Sequence, residues 1–161
     1  MLTYEEITGK LITLEGVQKI FTPTYRSDHT IVFTNGCFDL LHRGHVYYLS
    51  RARELGSLLV VGLNSDASTS ILKGPERPIN DQQARAEVLG ALGFVDYVVI
   101  FEEETPLELI KAVRPDILIK GGDYKAEEIV GYNEVISWGG KVETIPVLEG
   151  YSSSSMIQRT R

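Results

Sequence analysis

The segment Thr34-Asn35-Gly36-Cys37-Phe38-Asp39-Leu40-Leu41-His42-Arg43-Gly44-His45 joins two regular elements. The apolar run 31–33 before it predicts a buried strand, and residues 46–55 after it predict a helix. His42 and His45 therefore lie where a strand leads into a helix. Because the N-terminus of a helix offers free N–H donors and the positive end of the helix dipole, this junction is suited to phosphate.

The spacing of the two histidines supports the same interpretation. His42 and His45 are three residues apart and share a face in the first helical turn. Gly44 between them lets a ligand approach the backbone closely. Two other interpretations fit the pattern: a metal site with Asp39 as third ligand, or a purely structural pair. We favour phosphate and predict no protein-held metal, and the P-loop and G-x-G-x-x-G spacings are absent.

The composition predicts one ordinary globular domain without nucleic-acid or membrane partners. The 161 residues are 43% apolar, which is enough for a real core. The net charge of -6 argues against nucleic acid, which needs a basic surface. Neither a run of 18 apolar residues nor a signal-peptide pattern is present, so the expected location is the cytoplasm. The single cysteine excludes an internal disulfide.

Apolar runs alternate with helical patterns along most of the chain. This alternation predicts an α/β fold, a Rossmann-like, doubly wound parallel sheet of about five strands. We expect residues 30–161 to form this single domain and residues 1–29 to form a leader. The apolar pattern of the leader predicts one or two short amphipathic helices, and Pro23 is expected to end the pattern. These helices would pack on the domain or make a homodimer contact. The strands are expected at 31–33, 57–64, 97–101, 116–120 and 141–146.

Polar motifs follow the predicted strands, where a parallel sheet binds its ligands. The run Asn64-x-Asp66-x-Ser68 after the second strand is typical of a turn with a helix cap. The loop after it, which carries Lys73 and Arg77, can close over a ligand and bring two cations. The glycines of Lys120-Gly121-Gly122-Asp123-Tyr124 allow a base or ribose to approach, although an ordinary turn would look the same. The serines 152–155 fit either a disordered tail or a helix cap that binds phosphate.

These motifs resemble a known family. The pattern Gly36-x-Phe38-Asp39-x-x-His42-x-Gly44-His45 resembles the signature of the cytidylyltransferase-like nucleotidyltransferases. The runs 33–39, 62–78 and 120–124 resemble one branch, the adenylyltransferases of glycero-manno-heptose 1-phosphate. That branch makes the ADP-heptose used in lipopolysaccharide cores and other bacterial surface glycans. Some of its members are fused to a sugar kinase.

The resemblance implies a reaction and a set of residues. A sugar 1-phosphate attacks the α-phosphorus of ATP and releases pyrophosphate, with Mg²⁺ accompanying the ATP. The expected catalytic residues are His42, His45 and Lys73. The expected sugar-phosphate contacts are Asn64, Asp66, Arg77 and Arg85. The expected nucleotide contacts are Thr34, Asn35, Gly36, Cys37, Phe38, Asp39, Gly44, Lys120, Gly122, Asp123, Ser152, Ser153 and Ser154.

The chain departs from the family at one point and leaves two alternatives open. Ser152-Ser153-Ser154 stands where Ser-Thr-Thr is usual, and Tyr151 stands where a small residue is usual. The same fold and histidines would also serve a cytidylyltransferase acting on glycerol 3-phosphate or another phosphorylated acceptor. A nucleotide-binding module without turnover is the second alternative, although such a module needs no cations at the scissile phosphate.

Overall fold

The computed structural model describes residues 1–160, and its centre is one parallel sheet of five strands. The sheet order is β3-β2-β1-β4-β5, and all four neighbouring pairs are parallel. The order reverses direction beside β1, which places a topological switch point between β1 and β4. The predicted Rossmann-like architecture is confirmed. The strands are β1 (Ile31–Gly36), β2 (Leu58–Asn64), β3 (Tyr97–Phe101), β4 (Ile117–Gly121) and β5 (Lys141–Ile145).

Helices connect the strands and cover both faces of the sheet. A single 3-10 turn at Ala126–Glu128 follows β4. Within residues 1–160, none of the helices has the length and apolar character needed to cross a membrane. The helices are α1 (Tyr4–Thr8), α2 (Leu14–Ile20), α3 (Pro23–Ser27), α4 (Arg43–Arg53), α5 (Asp66–Lys73), α6 (Gln82–Gly90), α7 (Leu107–Val113), α8 (Tyr132–Ser137) and α9 (Ser153–Thr160).

The core consists of two apolar layers, one on each face of the sheet. Because successive strand residues point to opposite faces, Phe33 faces one layer and Val32 faces the other. The layer that contains Phe33 includes side chains from α2, α7 and α8. The layer that contains Val32 includes side chains from α4 and α6. β2 is buried along its whole length, and the pairing of β1 with β2 and with β4 holds the carboxyl ends of these three strands in fixed register.

The leader contacts the edge of the sheet. The Ile12 N–H donates to the Val98 carbonyl at 3.0 Å, and the Val98 N–H donates to the Lys10 carbonyl at 2.9 Å. The Arg26 guanidinium donates to three carbonyls at the end of α7. These contacts attach residues 1–29 to the outer strand β3 and to α7. The domain boundary at residue 30 and the homodimer stay predictions.

Three local predictions were wrong. The leader contains three helices rather than one or two, and Pro23 begins α3 instead of ending the pattern, because proline suits the first helical position. Lys73 does not lie in the loop after α5: it belongs to the last turn of that helix, which ends at Gly74.

Candidate active site

A cavity of about 620 Å³ opens at the carboxyl ends of β1, β2 and β4. Its size falls within the usual range for ligand sites, and its position is the switch point of the sheet. Most of the predicted site residues meet here although they are far apart in sequence. The predicted residues that line it are Asn35, Gly36, Cys37, Phe38, Asp39, His42, Gly44, His45, Asn64, Lys73, Arg77, Lys120, Ser152, Ser153 and Ser154.

His42 and His45 form a stacked pair in the cavity wall. Their ring centroids are 3.8 Å apart and the rings are inclined by 21°. The edge of Phe38 closes the inner side, 5.2 Å from the His45 centroid. The Nδ1 atoms of both histidines are buried without a hydrogen-bond partner in the described structure. Ring packing therefore contributes to the orientation of the pair.

Both imidazoles are less basic than free histidine. Burial lowers the pKa of His42. Burial also lowers the pKa of His45 to about 4, helped by the charge of neighbouring His42 and opposed by the Leu40 carbonyl. At neutral pH the free cavity thus presents two uncharged rings, each with one N–H donor.

The turn before the histidines has a constrained backbone. Phe38 has φ of 44°, in the left-handed region that non-glycine residues rarely adopt. Its ring is buried and lies beneath Gly36, where an added Cβ would approach the ring to 3.0 Å. Gly36 is therefore required for the close approach of Phe38, and the packed ring holds the turn that presents His42.

Asp39 fastens the segment after α5 to this turn. Its carboxylate accepts from Arg77 Nε at 2.5 Å and from the N–H groups of Ile79 at 2.8 Å and Asn80 at 3.1 Å. Burial alone would raise the pKa of Asp39, but the Arg77 guanidinium and these N–H groups outweigh it and hold the pKa below its usual value. The structure places Asp39 as a support of the cavity wall.

Two lysines face the cavity without a counter-ion. Lys73 at the end of α5 and Lys120 near the end of β4 form no ion pair with any described residue. Burial lowers the pKa of Lys120; neighbouring Cys37 partly opposes this and the charge of Lys73 adds to it. Such unpaired cations favour an anionic ligand.

Arg85 does not line the cavity, which corrects its predicted contact with the sugar phosphate. Its side chain is fully buried and pairs with Asp66 at 2.7 Å. The guanidinium also donates to the carbonyls of Cys37, Asn64 and Asn80. Because protein groups already accept these hydrogen bonds, the guanidinium joins α6 to the ends of β1 and β2 from beneath the cavity.

Four other predicted residues also lie outside the cavity lining. Thr34 is buried in β1 and its hydroxyl pairs with Tyr48 at 2.6 Å. Asp66 is the partner of Arg85, and Gly122 and Asp123 lie beyond the lining at the end of β4. Thr34 and Asp66 are therefore structural in the arrangement described.

Several lining residues were not predicted. Glu104, Thr105 and Pro106 precede α7, directly after β3. The rule that ligands bind beyond the carboxyl ends of parallel strands could have identified them. The apolar members Leu72, Val130, Val147 and Leu148 carry no such signal. Tyr124 and Tyr151 complete the lining.

A divalent metal held by the protein would need side-chain ligands in the cavity lining. Within the described chain, no group of three or more His, Cys, Asp or Glu side chains is arranged to hold one. The Asp39 carboxylate, which could have been a ligand, is already occupied by Arg77 and two N–H groups. Asp39 is therefore not available as a Mg²⁺ ligand in this arrangement.

Sequence relatives cover nearly all of this chain. The bifunctional protein HldE of Syntrophotalea carbinolica is 54% identical over 154 residues, which cover 96% of this chain and 31% of that protein. HldE of Campylobacter concisus is 54% identical over 152 residues, covering 94% of this chain and 31% of that protein. The chain thus spans about a third of the length of these curated relatives.

Solved structures share the fold. The lipopolysaccharide core biosynthesis protein of Thermoplasma volcanium superposes with a TM-score of 0.61 at 28% identity, covering 77% of this chain and 99% of that one. Pantothenate synthetase of Thermus thermophilus gives a TM-score of 0.61 at 16% identity, covering 92% of this chain and 70% of that one, which shows the fold alone. A family model described as cytidylyltransferase-like matches residues 33–159. The chain belongs to the cytidylyltransferase-like family.

Proposed function

We propose that this chain is an adenylyltransferase that transfers AMP from ATP to a glycero-manno-heptose 1-phosphate, giving ADP-heptose and pyrophosphate. One observation carries the phosphate chemistry. In a protein with net charge -6, two lysines that pair with no carboxylate among residues 1–160 and two uncharged imidazoles face one cavity at a helix start. This arrangement suits a polyphosphate better than a neutral ligand.

The sugar acceptor is supported by sequence. The runs 33–39, 62–78 and 120–124 resemble the heptose branch, and the relatives of about 50% identity or more are named bifunctional protein HldE. A structural relative is named for lipopolysaccharide core biosynthesis. This chain covers 31% of the length of the HldE protein of Syntrophotalea carbinolica, and the proposal concerns the nucleotidyl transfer.

The reaction needs little acid–base chemistry. An oxygen of the acceptor phosphate forms a bond to the α-phosphorus of ATP, and the bond from that phosphorus to the bridging β-phosphate oxygen breaks. Pyrophosphate leaves with the electron pair. The attacking oxygen is already an anion, so catalysis consists mainly of positioning and charge stabilisation.

The residues of the chain divide this work. His42 and His45 donate hydrogen bonds to oxygens of the α- and β-phosphates, and Lys73 neutralises their charge. The backbone from Gly36 to Phe38 cradles the α-phosphate, while Ser152 to Ser154 contact the phosphates from the segment that lies beside the histidine turn. Arg77 is available to the acceptor phosphate at the cavity wall, although its Nε is bound to Asp39.

We propose that Mg²⁺ enters with ATP, held by phosphate oxygens and water. The Asp39 carboxylate supports this proposal, because both of its oxygens already accept hydrogen bonds from the protein and neither is free to bind the ion. When bound, the ion would neutralise charge on the triphosphate.

Pyrophosphate release tests the proposal. ATP, GTP, CTP and UTP are each combined with Mg²⁺ and a panel of heptose 1-phosphate anomers and glycerol 3-phosphate. We expect release with ATP and one heptose 1-phosphate only. Release with CTP and glycerol 3-phosphate alone would contradict the assigned substrates, and ATP binding without release for any acceptor would identify a binding module.

Two lysine variants test the observation that carries the proposal. Lys73→Met and Lys120→Met each remove an unpaired cation from the cavity and should weaken turnover. Lys19→Met is the matched control, since Lys19 is exposed and paired with Glu15 on α2. Equal activity of all three variants would exclude a role for the cavity cations.

A further inference from the structure

Tyr151 occupies the outer end of the histidine stack. Its ring centroid is 6.3 Å from that of His42, and the two rings are inclined by 30°. With the pair itself and Phe38, the order from the inside outward is Phe38, His45, His42, Tyr151. The tyrosine is the one member of this column that comes from the segment before α9, whereas the others come from the turn after β1 and the start of α4.

Arg43 fixes Tyr151 from the other side. The Arg43 guanidinium lies 5.7 Å from the centre of the Tyr151 ring, and Nη1 donates to the phenol oxygen at 3.3 Å. Arg43 is the first residue of α4, next to His42. Tyr151 is therefore also attached, through Arg43, to the helix that begins beside the histidines.

Gly44 makes this approach possible. A Cβ added to residue 44 would lie 3.0 Å from the His42 ring and 3.2 Å from the Tyr151 Cβ. The absence of a side chain lets both residues pack onto the first turn of α4. Gly44 thus provides the space in which His42 and Tyr151 meet.

Stacking with neighbouring rings orients the His42 ring. The Nδ1 of His42 is buried without a hydrogen-bond partner in the described structure, so no bond at that atom fixes the ring. The ring is stacked closely with His45, and the Tyr151 ring is its second aromatic neighbour. Packing against the Tyr151 ring therefore restricts rotation of the His42 ring, in place of a hydrogen bond at Nδ1.

The same tyrosine precedes the serines. Ser153 Oγ donates to the Leu40 carbonyl at 2.8 Å, and Ser152 Oγ accepts from the Ser155 N–H at 3.0 Å. Tyr151 and Ser153 thus attach the start of α9 to the turn before α4 at two neighbouring points. Tyr151 thus connects the serines 152–154 to the part of the cavity wall formed by His42 and His45.

We infer that Tyr151 is a positioning residue: its ring holds His42 in register with the phosphates and fixes the serine segment beside it. This inference rests on the proposed role of His42 in phosphate transfer. It assigns a specific task to the position where the family usually carries a small residue.

Ring mobility tests the placement without any substrate. The chain has three histidines, so imidazole relaxation can be followed for His42 with His29 as an internal reference, because His29 stacks on Tyr25 at 4.2 Å. We expect the His42 ring to gain motion in Tyr151→Ala and to stay ordered in Tyr151→Phe, while His29 is unchanged. An equally ordered His42 ring in Tyr151→Ala would overturn the inference.

Kinetics test the consequence. If His42 loses its alignment, kcat should fall by about 10- to 100-fold in Tyr151→Ala with a much smaller change in the KM for ATP. Tyr151→Phe should recover most of kcat, since it keeps the ring and loses only the contact of the hydroxyl with Arg43. A KM effect alone, or a Phe variant as impaired as the Ala variant, would contradict positioning by the ring.

A matched control separates this effect from general damage. Tyr47 is similarly exposed, at 39% against 42% for Tyr151, but it lies on α4 outside the cavity. Tyr47→Ala should leave both His42 motion and kcat unchanged. If wild-type protein releases no pyrophosphate, the proposed function fails, and the relaxation measurement still decides whether Tyr151 holds His42.

Discussion

At the scale of single residues, the histidine pair combines low basicity with close stacking. Two charged imidazoles 3.8 Å apart would repel each other, and burial already disfavours the charge. In the proposed reaction the pair therefore begins as neutral donors, and the phosphates of the substrate supply the negative charge. A donor aimed at charge that develops during the reaction acts mainly on the transition state.

His45→Ala is expected to lower kcat by about 10²- to 10³-fold with a far smaller rise in the KM for ATP, because it removes such a donor. Steady-state pyrophosphate release checks this. His29→Ala is the control, since His29 stacks on Tyr25 away from the cavity. An unchanged kcat with a raised KM would mean that His45 binds substrate uniformly.

Arg85 is the opposite case, a buried charge with a structural task. Arg85→Ala leaves the carbonyls of Cys37, Asn64 and Asn80 without this donor. We expect the free energy of unfolding to fall by about 3–5 kcal/mol in urea titrations. Arg51→Ala, which breaks an exposed pair with Glu54, should cost less than about 1 kcal/mol. A stable Arg85→Ala protein with a raised KM for the sugar phosphate would restore the contact first predicted.

The sequence allowed most of the site residues to be predicted, and the failures have a common physical cause. A motif shows which residue types follow a strand, but not which way each side chain points. Arg85 has the chemistry of a phosphate ligand, and only the three-dimensional structure shows its guanidinium occupied by carbonyls and Asp66. The apolar lining residues, such as Val147, have no chemical signal at all.

At the scale of elements, one contact joins the turn after β1 to the segment after α5. Asp39 accepts from Arg77, Ile79 and Asn80, so this segment is held over the cavity by a buried carboxylate. The attachment also determines where Arg77 lies. Loosening it should affect stability and substrate binding together.

Asp39→Asn is expected to lower the free energy of unfolding at pH 7 by about 3 kcal/mol, because it breaks a buried ion pair. The pKa of Asp39 is lowered in the folded state, so its stabilisation is complete above the ordinary aspartate pKa and is lost as pH falls through the folded value. The difference between wild type and variant should therefore shrink below about pH 4. Urea titrations at pH 7 and pH 3 check this, and a difference that does not depend on pH would contradict the assignment.

Element prediction succeeded where burial governs and failed where local capping governs. The central strands were predictable because both faces of the sheet are covered there and β1 and β2 have strongly apolar runs, whereas β5 at the edge is polar and mostly exposed. Helix ends were less predictable. Gly74 ends α5 with φ of 101°, which kept Lys73 inside the helix, and Pro23 starts a helix where it was expected to stop one.

At the scale of the whole molecule, the leader and the sheet share one apolar core. Val17 of α2 is completely buried, in the same layer as Phe33 of β1 and Val135 of α8. Trp138, just after α8, packs against this layer. We therefore expect residues 1–29 and the parallel sheet to unfold in one cooperative transition.

Val17→Ala tests whether residues 1–29 and the sheet unfold together. It opens a cavity in the shared layer and should lower the free energy of unfolding by about 2 kcal/mol. The fluorescence of Trp138, the single tryptophan, and far-ultraviolet circular dichroism should report the same shifted urea midpoint. Leu14→Ala on the same helix is the control, since Leu14 is 43% exposed and should change the free energy by less than about 0.5 kcal/mol. If the Trp138 midpoint stayed at the wild-type value in Val17→Ala, the leader would unfold separately, and the core would belong to the sheet and its own helices alone.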